Sequence, residues 1–195
     1  MKNLIYTIAI IAFTFTSCKG EKKEASGHEG HDHSTETKMD APRKTTDTAT
    51  VDSKDLANGI IDSYLQLKNA LTNDDEKGAA TAGTAMLNAF AAFDMTQVTG
   101  DAHKIYMEIA ESSKEHAEHI VKSPMDHQRE HFEVLTTDMI DLIAALGTNK
   151  TLYQDFCPMY NGNKGAAWIS EFKEIKNPYF GARMLSCGKV QKQFN

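Results

Sequence analysis

From Asp52 to about Asn73 the residues Leu56, Ile60, Tyr64, Leu67 and Leu71 recur at spacings of four and three, the repeat that lines one face of an α-helix. Asp52 or Ser53 is placed to cap it. From about Asp75 to Phe93 the series Ala79, Gly83, Met86, Phe90 and Phe93 continues the pattern, with small residues between that allow close helix approach. Asp101 to Lys122 carries Ala102, Tyr106, Ile109, Ser113, Ala117 and Ile120. After a Ser123-Pro124 break, Gln128, Phe132, Leu135, Met139, Leu142 and Leu146 run on to Gly147, a residue suited to stopping a helix. Four helices of similar length with short connections predict a mainly α fold, an up-down four-helix bundle over residues 52–147.

The helical period ends at Gly147. Thr151 to Phe156 is short and aromatic-rich, and the sequence beyond it is dense in Gly, Pro and Asn, which predicts extended segments and turns. Residues 148–195 are therefore expected to form a small irregular or extended lobe packed on the bundle, one domain with it. Trp168, the single Trp, lies in a Gly-rich segment that needs an apolar anchor, so it is expected to be buried where lobe and helices meet.

The other end of the chain differs. Leu4 to Phe15 is a short apolar run behind Lys2, followed by Thr16, Ser17 and Cys18 and then polar sequence. The layout resembles a secretory signal ending in a bacterial lipobox, with residues 1–17 removed and Cys18 lipidated. Residues 18–51 hold no aromatic and almost no aliphatic side chain, so they cannot offset their ordering entropy and are expected to be a disordered tether. His28, His31 and His33 fall within it, a tract able to bind Cu(II), Ni(II) or Zn(II) loosely. The expected location is the cell envelope, periplasmic or outer-membrane-associated, with the membrane reached through the lipid anchor.

Composition narrows the function. With 27 acidic and 21 basic side chains the net charge is -6, which argues against nucleic acid or an anionic surface as a partner. Neither a phosphate-binding loop, a GxGxxG turn nor a GxSxG elbow occurs. No nucleophile, base and orienting acid form a recognisable set, so the chain is not expected to be an enzyme. Eight His, nine Met and three Cys turn attention to metal.

Cys157-Pro158-Met159 and Met184-Leu185-Ser186-Cys187 place two Cys and two Met in matched halves of the C-terminal lobe. Thiolate and thioether sulfurs are soft donors that select Cu(I), so Cys157, Met159, Met184 and Cys187 are the first candidate metal ligands. The same two Cys can instead pair as a disulfide, closing a loop of about thirty residues with a chain-entropy gain of roughly 3 to 4 kcal/mol. Composition does not separate these readings. The helical histidines are secondary candidates: His116 and His119 are three apart, His127 and His131 four apart, and the Pro124 turn brings both pairs to one end of the bundle. On the helix phase His116 and His131 flank the apolar stripe, His127 lies further out and His119 points to solvent. A di-iron site of the ferritin type is excluded, because no Glu has a His three residues later.

The stretch CPMYNGNKGAAW, followed by IKNPYFGARMLSCG, resembles the signature of a bacterial domain of unknown function. That domain occurs as small secreted lipoproteins and attached to periplasmic adaptors of heavy-metal efflux pumps. The resemblance covers roughly Asp52 to Gln193, closely in the C-terminal part and loosely in the helices, where it includes the QREHF step at Gln128 to Phe132. It implies a periplasm-facing helical domain associated with copper or other heavy-metal handling, with an efflux adaptor or pump as partner and no catalytic activity. Taken together, the sequence predicts a lipoprotein that binds a heavy metal, Cu(I) first, for sequestration or hand-over to an efflux system. The alternative is a disulfide-tied helical interaction module that never touches metal.

Overall fold

The heptad-like stripes become helices at nearly the expected boundaries. The computed structural model describes residues 53–195. The expected leader (1–17), Cys18 and the expected tether with His28, His31 and His33 lie outside the described residues. The first stripe is split into α1 (Ser53–Leu56) and α2 (Asn58–Thr72), followed by α3 (Glu76–Ala92), α4 (Gly100–Lys122) and α5 (Met125–Leu146). Each apolar face is buried: Ile60, Tyr64, Leu67 and Leu71 of α2, Met86 of α3, Tyr106 and Ile120 of α4, and Phe132, Leu135 and Leu142 of α5 are all shielded from solvent. Burial of these stripes, rather than helix propensity, holds such helices in place.

The long helices pack in chain order, α2 on α3, α3 on α4 and α4 on α5. The small-residue face of α3 sets one of these contacts. A β-carbon on Gly83 would lie 3.1 Å from Val121 Cγ2 and 3.3 Å from the Ala117 carbonyl oxygen, so glycine here lets α4 approach closely. The Asp75 carboxylate caps α3 by accepting the Gly78 N–H at 2.9 Å. Among the described residues no helix is long and apolar enough to cross a membrane.

The C-terminal lobe is more regular than its sequence suggests. It is a three-stranded antiparallel sheet of β1 (Leu152–Cys157), β2 (Ala166–Ser170) and β3 (Lys189–Phe194) in the order β2-β1-β3. A helical turn, α6 (Tyr160–Asn163), leads from β1 towards β2. Alternation is hidden in these strands: a bulge at Gln191 of β3 shifts its pairing with β1 between Gln154 and Asp155, and of β3 only Phe194 is buried. Gly165, at φ +81°, lies under the Phe156 ring, where any β-carbon would collide.

The sheet is fastened to the helices by buried polar groups. The Tyr64 hydroxyl of α2 accepts the Ile169 N–H at 3.1 Å and shares a 2.8 Å hydrogen bond with Thr136 of α5. Trp168 is fully buried, edge-on to Tyr179, which in turn packs on Phe132, as its isolated position in the sequence implies. Arg129, a buried cation on α5, donates to the Pro178 carbonyl at 2.9 Å and the Leu71 carbonyl at 3.1 Å and pairs with Asp74. Asp74 also accepts the Ala182 N–H at 3.0 Å. That backbone hydrogen bond, followed by the one from Arg129, holds the Asp74 carboxyl below the usual carboxylate range. A single guanidinium thus ties α5 to the α2–α3 turn and to the loop before β3.

Candidate metal centre

Only Ser123 and Pro124 separate α4 from α5. Pro124 has φ -70° and ψ 163°, an extended conformation that ends one helix and starts the next. Residues equally far from this turn on the two helices become neighbours. His119 and His127 stand one turn from it, and His116 and His131 one turn further. All four imidazoles meet there.

His131 is the hub. Its Nδ1 lies 2.8 Å from Nδ1 of His116 and its Nε2 lies 3.0 Å from Nε2 of His127. The His119 ring stacks on it, with centroids 4.3 Å apart and planes 13° from parallel. His127 Nδ1 is 2.7 Å from the Glu130 carboxylate. His119, His127 and His131 each offer a ring nitrogen within 4.8 Å of the others. Two metal–nitrogen bonds of about 2.1 Å at a tetrahedral angle set their nitrogens about 3.4 Å apart. Closing the triad on one ion would turn the His119 ring out of its stack on His131, so that the three lone pairs converge.

With all the rings neutral, one arrangement of protons satisfies these contacts. A carboxylate only accepts, so His127 donates Nδ1–H to Glu130 and, when neutral, keeps its lone pair on Nε2. His131 then donates Nε2–H to that lone pair, and its Nδ1 accepts from Nδ1–H of His116. The proton between His131 and His127 occupies the place a metal would take. Moving it to Nδ1 of His131, with the reverse change on His116, frees both Nε2 lone pairs without changing the charge of the cluster. Glu130 and His116 thus orient the rings of His127 and His131. Burial, and then the neighbouring His119, His127 and His116, depress the His131 pKa below its ordinary 6.5, which favours the neutral, ligating form.

The helix phase read each histidine's exposure correctly. His119 and His127 are exposed, His116 and His131 half-buried. The Pro124 turn places both pairs at one end of the bundle, as expected, but phase read one helix at a time does not reveal that the rings come into contact. The i, i+4 pair His127 and His131 with Glu130 between them was the available signal.

The sulfur set is brought together only in part. Cys157, buried at the end of β1, and Cys187, half-buried before β3, have their sulfurs 2.6 Å apart. Met184 meets Cys187 through the backbone, its carbonyl accepting the Cys187 N–H at 3.1 Å. Met159 is 50% exposed in the turn after β1. Two thiolates sharing one tetrahedral ion stand about 3.8 Å apart at metal–sulfur bonds of about 2.3 Å. The two sulfurs would have to move apart by about 1 Å to share an ion.

The model of a family described as "Protein of unknown function (DUF3347)" matches residues 60–151. The match spans α2 to α5 and ends one residue before β1. It therefore includes all four clustered histidines, and the Cys/Met segments lie beyond it. The sequence resemblance had its closest correspondence in those C-terminal segments, whereas the family match falls on the helices. No curated protein and no solved structure matches the chain.

Proposed function

We propose that the protein is an extracytoplasmic lipoprotein that binds a heavy metal as a divalent ion at His119, His127 and His131, for sequestration or hand-over to an efflux system. The four long helices, taken as an up-down bundle, serve as its scaffold. One observation carries this reading: three ring nitrogens lie within 4.8 Å at the α4–α5 turn, with Glu130 and His116 orienting two of the rings. Neutral imidazole suits Zn(II), Cu(II) and Ni(II). Three protein nitrogens leave a coordination position open for water or for a ligand from a receiving protein, as transfer requires. Two of the rings are exposed, so the ion is reachable from outside the fold. The leader, Cys18 and the apolar-poor tether support the envelope location.

Native mass spectrometry and competition titration of the full chain test this, with His28, His31 and His33 changed to Ala so that the tether does not contribute. One equivalent of metal is expected, tightest for Cu(II), with Ni(II) and Zn(II) weaker. Binding should vanish when His119, His127 and His131 are also changed to Ala. Absence of binding at stoichiometric concentration would sink the reading in favour of a metal-free interaction module. Binding that survives loss of the triad but not loss of Cys157, Met159, Met184 and Cys187 would return the site to the sulfurs and the ion to Cu(I).

A further inference from the structure

The histidine cluster leaves Cys157 and Cys187 without a role, although the fold brings them into contact from positions 30 residues apart. Both backbones are fixed by other interactions. Phe156 pairs with Lys189 across β1 and β3, one residue from Cys157 and two from Cys187. The buried Asn177 amide donates to the Cys187 carbonyl at 2.8 Å. The Cys187 N–H is held by the Met184 carbonyl, and Gly188 lies against Trp168, where a β-carbon would come within 2.7 Å of Cη2. The two sulfurs are aimed at each other by the sheet and by this loop.

We propose that Cys157 and Cys187 are a disulfide-forming pair that staples the loop before β3 to the end of β1, with Cys187 as the sulfur through which oxidation enters. Exposure assigns the order, since Cys187 is half-buried and Cys157 is fully buried. The oxidant is the disulfide of a thiol oxidoreductase or of oxidised glutathione. The Cys187 thiolate attacks that disulfide, forming a mixed disulfide and expelling one thiolate. The Cys157 thiolate then attacks Cys187 Sγ and expels the second. Two protein thiols become one disulfide, the oxidant's disulfide becomes two thiols, and the two protons lost by the cysteines balance the two thiolates released. The hydrogen bond with Cys157, reinforced by burial, pushes the Cys187 thiol up to about 11. Cys187 is therefore a slow nucleophile near neutral pH, and its attack on the oxidant accelerates as pH rises.

The staple encloses β2, Trp168 and the Asn177–Gly181 turn whose Pro178 carbonyl grips Arg129. Its closure restrains the segment that covers Trp168 and holds the sheet against α5. This differs from the proposed metal function, which uses no sulfur, so either can fail alone.

The full chain is incubated with oxidised glutathione, free thiols are blocked with N-ethylmaleimide, and the protein is digested without reduction for peptide mapping. The expected product is one crosslinked peptide pair containing Cys157 and Cys187, lost on reduction. Reduction should also lower the melting temperature by about 5 °C or more. The Cys157→Ser/Cys187→Ser double variant should give no crosslink and no reductant-dependent shift. Should that variant fail to fold, the wild-type map and melting pair still decide the matter. Recovery of both cysteines blocked by N-ethylmaleimide, or linked to Cys18 or between chains, would overturn the pairing. A mapped bridge with equal melting temperatures in both redox states would overturn the stapling.

Discussion

Replacing Asp155 by Asn should make the protein more stable at pH 8 and flatten its dependence on pH. Asp155 stands on β1 directly opposite Trp168, fully buried. Neither carboxylate oxygen has a hydrogen-bond partner. Burial raises its pKa from 3.8 to about 7, against the pull of the buried Lys68 cation, which lowers it. Below the unfolded value both states hold the proton and no penalty exists. Between about pH 4 and 7 the unfolded chain ionises while the folded one keeps its proton, so stability falls as pH rises and levels off above 7. At about 1.4 kcal/mol for each pH unit between the two values, the full loss is about 4 kcal/mol, of which roughly 2 to 3 kcal/mol falls between pH 5 and 8. Asn has the same shape and no charge to desolvate. Its amide remains poorly paired, at about 1 to 3 kcal/mol, and Lys68 retains its 2.8 Å ion pair with Glu171. The desolvation effect exceeds these at pH 8 and not at pH 5. Urea titrations of both proteins at the two pH values measure the gap. A gap that fails to widen in favour of Asn by about 2 kcal/mol from pH 5 to pH 8 would refute this account, since Asp155 would then be ionised in place and paired with Lys68.

Trp168→Ala should cost about 3 to 5 kcal/mol in a denaturant titration, because it empties the fully buried contact between the sheet and the Tyr179–Phe132 pair; a loss under about 1 kcal/mol would mean the sheet is not seated on the helices as described. Glu130→Ala should leave the melting temperature of the metal-free protein nearly unchanged, since Glu130 is exposed, and weaken metal about 10- to 100-fold by releasing His127 Nδ1. Unchanged affinity in a competition titration would remove Glu130 from the orienting shell.

The sequence by itself determined the helices and their buried faces. Spacings of three and four at Ile60, Tyr64, Leu67 and Leu71, or at Phe132, Leu135, Met139 and Leu142, are local properties of a 3.6-residue turn, and burial follows them directly. It also singled out Trp168 as an anchor and the two cysteines as partners of some kind. Tertiary structure decided the rest. Whether β1 pairs with β2 and β3 depends on segments far apart in the chain, and β3 buries too little to display a period. The buried charges Lys68, Arg129 and Asp155 look like surface residues in the sequence, because the partners that hold or repel them lie far along the chain. The histidines show the same division. Each helix gave the exposure of its own side chains, but only the closing of α4 against α5 across Ser123 and Pro124 turned two exposed faces into one cluster around His131. A metal site needs donors to converge within a few ångströms, and convergence between segments is a property of packing, which no local period records.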